Sequence, residues 1–292
     1  MTIAETEIAS QPDMWRRVAQ VAPAYFSVLP QKGERVAVVG CGTSWFMAMA
    51  YAALRESEGQ GETDAYAASE MNYLRHYDRV VAISRSGTTT EVIDLLKKIT
   101  VPSVVIAGVA GTPVTEHATH SIIMDFADET SVLQTRFATS VLALLRAHLG
   151  HDLEKLAKDA EIALESDLGE LPQSEQITFL GHGWTVGLAQ EGALKTRESA
   201  QFWAEAYPAM DYRHGPISIA QKNRTVWVFG QIDESLIQDI KATGALLEMS
   251  TIDPMAHLIR AQRTAVALAK VRGLDPDHPR GLSRSIVLNQ AG

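Results

Sequence analysis

Apolar residues fall into two spacings along this chain. Short, nearly unbroken aliphatic runs occupy 35–39, 79–83, 103–107 and 121–124, and recur at 177–180, 225–229 and 245–248. Runs this short and this apolar predict strands covered on both faces. Between them lie longer stretches of helical spacing at 44–56, 90–99, 115–118 and 131–149, then at 186–203, 234–243 and 254–271. An opening helix is expected over 8–26, with Ser10 as its cap and Pro12 and Asp13 in its first turn. A charged segment of helical period, 151–171, separates the two series and ends near Gly169 and Pro172. Strands alternating with helices predict parallel α/β sandwiches. The expected divisions are a helical segment over 1–27, a first domain over 28–150, a connecting helix over 151–172, and a second, shortened domain with a tail over 173–292.

The restart has the character of a duplication. Gly40-Cys41-Gly42 follows the first strand of the first series, and Gly181-His182-Gly183 follows the first strand of the second. The two lie 141 positions apart, and at the same offset Ala48 matches Ala189 and Ala52 matches Ala193.

Composition narrows the classes. The chain has 292 residues, enough for about two domains. With 46% hydrophobic and 21% charged residues it has an ordinary globular balance, which excludes disorder or a coiled coil for most of its length. A net charge of −9 gives no overall basic footprint for nucleic acid. No apolar run reaches membrane-spanning length, and 1–14 lacks a secretory signal pattern. The single cysteine, Cys41, allows no internal disulfide. A cytoplasmic location is expected, with no membrane and no nucleic-acid partner.

Three stretches carry candidate chemistry. Gly40-Cys41-Gly42-Thr43-Ser44 is a strand-to-helix turn, suited either to a phosphate at the helix N-terminus or to a tight turn with Ser44 as an ordinary cap. A Rossmann dinucleotide site fits poorly, because the third glycine is missing. Ser84-Arg85-Ser86-Gly87-Thr88-Thr89-Thr90-Glu91 carries more hydroxyls than one cap needs, as a phosphate cradle would. Arg85 either pairs with the phosphate or is exposed. No P-loop signature occurs, which argues against a nucleoside triphosphatase. On a helix, Glu191, Lys195 and Glu198 share one stripe, as a surface ion-pair ladder or as catalytic groups. His214-Gly215-Pro216 holds a histidine in a turn, structural or functional. No His/Cys cluster has zinc spacing, so neither metal nor cofactor is expected.

Together these motifs resemble the SIS (sugar isomerase) family, in particular its double-domain members. The resemblance rests on Cys41-Gly42-Thr43-Ser44, Ser84-x-Ser86-Gly87-x-Thr89, Glu129-x-x-Val132-x-x-Thr135-Arg136 and Glu191-Gly192-Ala193-Leu194-Lys195-x-x-Glu198. Ala204-Glu205-Ala206-Tyr207, His214-Gly215-Pro216 and the tail motif from Gly273 to Arg280 extend it. Order and spacing follow the isomerase half of glucosamine-6-phosphate synthase and its deaminase-like relatives, from about Val36 to Val287. The implied fold is two flavodoxin-like, three-layer α/β/α sandwiches with parallel sheets, in tandem.

The resemblance also implies roles. Ser44, Ser84, Ser86 and Thr89 match positions that hold a sugar 6-phosphate, Arg85 stands where the synthase has glutamine, and Val132 matches a residue lining the sugar. Glu198 matches the base that moves a proton between C1 and C2, Lys195 an active-site lysine, and His214 the ring-opening histidine. In the family that histidine comes from the other subunit, so a homodimer is implied. Where the synthase tail carries a Schiff-base lysine, this chain has Arg284, which stays protonated and is no amine nucleophile but can bind sugar or phosphate. A glutaminase half is not expected, since Thr2 stands at position 2. The expected function is a phosphosugar isomerase or deaminase acting on an amino-hexose 6-phosphate. The alternatives are a fructosamine-6-phosphate deglycase and a non-catalytic sugar-phosphate-binding regulator.

Overall fold

The structure, a computed structural model, describes residues 1–288. Its elements run in chain order as α1 (Ile3–Ala9), α2 (Gln11–Val21), β1 (Val36–Gly40), α3 (Thr43–Ser57), β2 (Thr63–Ala67), β3 (Arg79–Ser84), α4 (Thr90–Lys98), β4 (Ser103–Ala107), α5 (Pro113–His117), β5 (His120–Ile123) and α6 (Arg136–His148). They continue with α7 (Leu153–Glu165), β6 (Gln176–Gly181), α8 (Thr185–Ala200), β7 (Ala204–Pro208), β8 (Arg224–Phe229), α9 (Glu234–Ala242), β9 (Leu246–Glu248) and α10 (Pro254–Val271). Two sheets form, both parallel throughout: β2-β1-β3-β4-β5 and β7-β6-β8-β9.

The chain divides into two compact units. One comprises Asp13–Leu153 together with the tail from Ser283, and the other Met1–Pro12 together with Glu154–Leu282. Contacts group the first twelve residues with the second sheet and the tail with the first. The physical reason is long-range pairing. Asp277 accepts hydrogen bonds from the N–H groups of Ile3 and Ala4 at 2.8 Å each, and Lys270 pairs with Glu5 at 2.5 Å.

In the five-stranded unit the central strands are buried on both faces, as their unbroken apolar runs predict. Ala37, Val39, Val80, Ala82, Val105 and Ala107 pack with Val92, Leu95 and Leu96 of α4 and with Val114 of α5. By the two-residue period of a strand, Val36, Val38, Val81 and Ile83 face the other way, where α3 covers β1 and packs on α6. In the four-stranded unit Leu180, Val226 and Val228 pack with Leu236 and Ile240 of α9. On the opposite face Phe179, Trp227 and Phe229 group their rings, and α8 and α10 pack on each other.

Two strands escaped the sequence pattern, β2 and β7. Both are edge strands and only partly buried, so their sequences, TDAYA and AEAYP, mix polar and apolar positions instead of forming an unbroken apolar run. The helix expected over 186–203 stops at Ala200, where Gln201 turns left-handed at φ 48°. The helix expected over 8–26 is two helices, and Ser10 closes α1 where it was expected to open a longer one. The helix expected over 131–149 begins only at Arg136.

Candidate functional site

In the five-stranded unit the order of strand addition reverses between β1 and β3, with β2 placed on one side of β1 and β3 on the other, and ligands of open α/β sheets bind beyond the strand C-termini at such a point. The two loops that leave β1 and β3 there are Cys41–Gly42 and the hydroxyl-rich stretch from Arg85 to Thr89. Gly40 must be small, because a Cβ on it would lie 2.7 Å from the backbone and Cβ of Ser44. Gly87 has φ +68°, and a Cβ there would fall 1.9 Å from Thr112 Oγ1. Only glycine lets the loop bend this way against Thr112.

Each loop residue has a definite place. Gly42, not Ser44, caps α3. Ser44 is 4% exposed and donates to Gln134 Oε1 at 3.3 Å. Ser84 ends β3 with its hydroxyl buried and without a hydrogen-bond partner among the described residues. A buried hydroxyl in that state is costly and suits a polar ligand. Thr89 is the N-cap of α4, and its side chain makes no capping hydrogen bond. Cys41 packs against the apolar cluster; burial first, and Glu91 second, push its thiol pKa up, so it stays a neutral thiol.

Arg85 settles an open alternative: it is buried at 4% exposure. Its guanidinium donates to the carbonyls of Ser131 at 3.0 Å, Val132 at 3.3 Å and Arg284 at 3.1 Å, and lies 3.9 Å from Glu129. It therefore ties three segments together. Val132 is drawn in through its backbone, with its side chain half-buried.

Glu129, 1% exposed, accepts from the N–H of Thr135 at 2.7 Å, Arg136 at 2.9 Å and Phe137 at 3.2 Å, and from the Thr135 hydroxyl at 2.6 Å. A carboxylate at the first turn of α6 satisfies the orphan amides and the helix dipole together. The Glu129-to-Arg136 motif is thus spent on this cap, which is why the helix starts late.

Arg284 donates to both carboxylate oxygens of Asp128, at 2.5 Å each. Ser285 places its hydroxyl 3.0 Å from that of Ser86 and 2.9 Å from that of Thr88. Sequence reasoning placed Thr88 in the hydroxyl-rich stretch without a role of its own, and singled out neither Asp128 nor Ser285. Adjacency to Glu129 and to Arg284 was the one available signal for these two.

In the four-stranded unit α8 carries Glu191, Lys195 and Glu198. Lys195 is 2% exposed and Glu191 1%, so the stripe is not a surface ladder. The Lys195 ammonium lies 3.6 Å from Glu191 Oε1 and donates to Glu198 Oε2. Glu198 keeps a fifth of its side chain exposed, which leaves its carboxylate accessible from solvent. Gly192 in the same motif lets α8 approach the sheet, since a Cβ there would meet the Phe179 ring at 2.9 Å. His214 ends a short 3-10 helix, Ala209–His214, and is exposed, followed by Gly215 at φ 133°.

At the ends of β6, β7 and β8 lies a cavity of about 430 Å³ lined by His182, Ala209, Met210, Gln231, Ile232 and Asp233. Here Asp233 caps α9 by accepting from the Ser235 N–H at 2.9 Å. A carboxylate at that helix start repels phosphate, in contrast to the hydroxyls that open α4.

Residues 29–149 match the family model described as SIS domain. The match covers the stretch containing β1 to β5, and the four-stranded sheet lies outside it. Over longer alignments the chain is similar to glutamine–fructose-6-phosphate aminotransferase (isomerizing) of Sulfolobus acidocaldarius, 28% identical over 295 residues, covering 87% of this chain and 50% of that protein. The enzyme of the same name from Pyrobaculum aerophilum is 28% identical over 342 residues, covering 97% and 57%. The chain spans about half the length of the curated relatives it matches. Among solved structures, glucosamine-6-phosphate deaminase from Thermotoga maritima aligns over 98% of this chain and 100% of its own, with TM-score 0.77 and 24% identity. The C-terminal domain of glucosamine-fructose-6-phosphate aminotransferase from Francisella tularensis aligns over 96% and 98%, with TM-score 0.78 and 22% identity. These likenesses establish the fold across both sheets.

Among the described residues no group of His, Cys, Asp and Glu is arranged to hold a metal ion, and no helix is long and apolar enough to cross a membrane.

Proposed function

We propose that this protein is a phosphosugar isomerase or deaminase that acts on an amino-hexose 6-phosphate by moving a proton between C1 and C2. The observation that carries this reading is the Lys195–Glu198 pair, a buried ammonium holding an accessible carboxylate. The relatives named as aminotransferases and deaminases of hexose 6-phosphates support the substrate class.

The hydroxyl-rich loop of Ser84, Ser86 and Thr89, with Ser44, takes the phosphate, and Arg284 adds a cation near it. Binding energy from this remote group positions the reacting carbons. His214, supplied by the second subunit of a homodimer, donates to the ring oxygen and opens the ring, as an imidazole is suited to do near neutral pH. Glu198 removes the C2 proton of the open amino-aldose and returns a proton to C1. The charge that develops on the oxygen at C1 is stabilised by the Lys195 ammonium. Proton transfer yields a C2 imine, and water adds to it, releasing ammonia and leaving a ketose 6-phosphate. Each turnover consumes one water and needs no redox partner.

The test is incubation of the protein with glucosamine, galactosamine and N-acetylhexosamine 6-phosphates, with ammonia and ketose 6-phosphate assayed together. Equal production of both from an amino sugar is expected. Silence on all three, with phosphate esters still bound, would remove the enzymatic reading.

A further inference from the structure

The tail that follows Leu282 reaches the hydroxyl-rich loop from the far end of the sequence. Four backbone and ionic contacts fix it there. Arg284 clasps Asp128, and the Arg284 carbonyl accepts from Arg85 Nη2 at 3.1 Å. The Ile286 carbonyl accepts from the Thr90 N–H at 3.3 Å, and the Leu288 N–H donates to Thr90 Oγ1 at 2.9 Å. Between these anchors sits Ser285, half-buried.

Its hydroxyl closes a triangle. Ser285 Oγ is 3.0 Å from Ser86 Oγ and 2.9 Å from Thr88 Oγ1, and the last two are 3.1 Å apart. The Thr88 N–H also donates to Ser86 Oγ at 3.2 Å and fixes that corner. Each hydroxyl has one hydrogen and spare acceptor capacity, so three of them satisfy one another in a ring. Rotation about three C–O bonds turns all three hydrogens outward, with no movement of a heavy atom. The result is a tripod of donors whose spacing suits the oxygens of a tetrahedral oxyanion. The Ile286 carbonyl already occupies the Thr90 amide, so at this end of the loop hydroxyls, more than helix amides, supply the donors.

We propose that Ser285 is a phosphate-binding residue, the third leg of an oxyanion tripod with Ser86 and Thr88, and that the Arg284–Asp128 clasp holds it in place. This rests on reading the loop as the phosphate site and adds to it a residue from the other end of the chain. The phosphate site is then incomplete until the tail is docked.

Calorimetric titration of the full chain with inorganic phosphate tests it. Wild type should bind, and Ser86→Ala should bind weakly. Ser285→Ala should lose about 10-fold or more in affinity, as expected for a hydrogen bond to a charged group. Ser285→Thr should restore most of that loss. Asp128→Asn, with Ser285 intact, should also weaken binding, because the tail is no longer held. If Ser86→Ala weakens binding while Ser285→Ala leaves it unchanged or tightens it, the tail is a spectator or a competitor and the inference is overturned. If wild type binds no phosphate, the loop reading fails and takes this inference with it.

Discussion

Lys195 donates its ammonium to Glu198, three residues later on the same helix, while Glu191 stands one turn earlier at 3.6 Å. One buried cation thus serves two carboxylates of unequal exposure. Glu191 is enclosed beside the lysine, whereas Glu198 keeps a fifth of its side chain exposed. The arrangement places an enclosed carboxylate and a partly exposed one on a single helical stripe.

Glu198→Gln keeps the shape and an acceptor for Lys195 but removes the base. Turnover should fall by about 10²–10⁴-fold, the range for losing a positioned general base. Phosphate binding, measured calorimetrically, should stay within a few-fold of wild type. A collapse of binding with little effect on turnover would reverse the assignment.

Lys195→Met leaves Glu191 enclosed without this counter-charge. Breaking a buried ion pair from one side costs about 3–5 kcal/mol, so the urea midpoint should drop accordingly. Lys195→Met combined with Glu191→Gln should recover much of the loss in the same titration. If the single variant is as stable as wild type, the pair is not the constraint described here.

Gly87→Ala meets two obstacles, a left-handed φ of +68° and Thr112 Oγ1 at 1.9 Å. Gly111 shares the φ, +67°, but has open space around it. Gly111→Ala should cost about 1–2 kcal/mol of backbone strain alone. Gly87→Ala should cost about 1–3 kcal/mol more, from overpacking, and should weaken phosphate binding as well. Equal denaturation midpoints for the two variants would show that the Thr112 contact does not matter.

His257 introduces a pH dependence into the four-stranded unit. It is 1% exposed, stacks on Trp227 at 4.8 Å and bonds Glu248 Oε1 at 3.1 Å, which Arg260 also approaches at 2.8 Å. Burial lowers its pKa from 6.5 despite the pull of Glu248, and nearby Arg260 lowers it further. Below about pH 6.5 the unfolded chain takes up a proton that the folded chain resists. The stabilisation is therefore complete above that pH and is lost as pH falls through the folded value. Burial raises the Glu248 pKa, but His257 and Arg260 outweigh this and hold it below 4.5, so its own loss begins only near that lower pH. Thermal midpoints between pH 8 and 5 should fall less steeply for His257→Gln than for wild type. Parallel curves would contradict this.

What the sequence determined by itself was the interior of each sheet and the identity of the loops. Unbroken apolar runs located β1, β3, β4, β6 and β8, because a strand buried on both faces has no polar position to spare. The clustered hydroxyls between Ser84 and Thr90, and the stripe of Glu191, Lys195 and Glu198, were legible because local spacing carries them. Only the tertiary structure decided whether that stripe was surface or core, because burial depends on what packs against a helix and not on its own period. It decided the same for Arg85, whose partners are carbonyls more than forty residues away. Edge strands β2 and β7 stayed hidden, since half-exposed strands need no apolar run. Ser285 stayed hidden for another reason. Its meaning comes from hydroxyls 197 and 199 residues earlier, a distance across which no pattern in the sequence can operate.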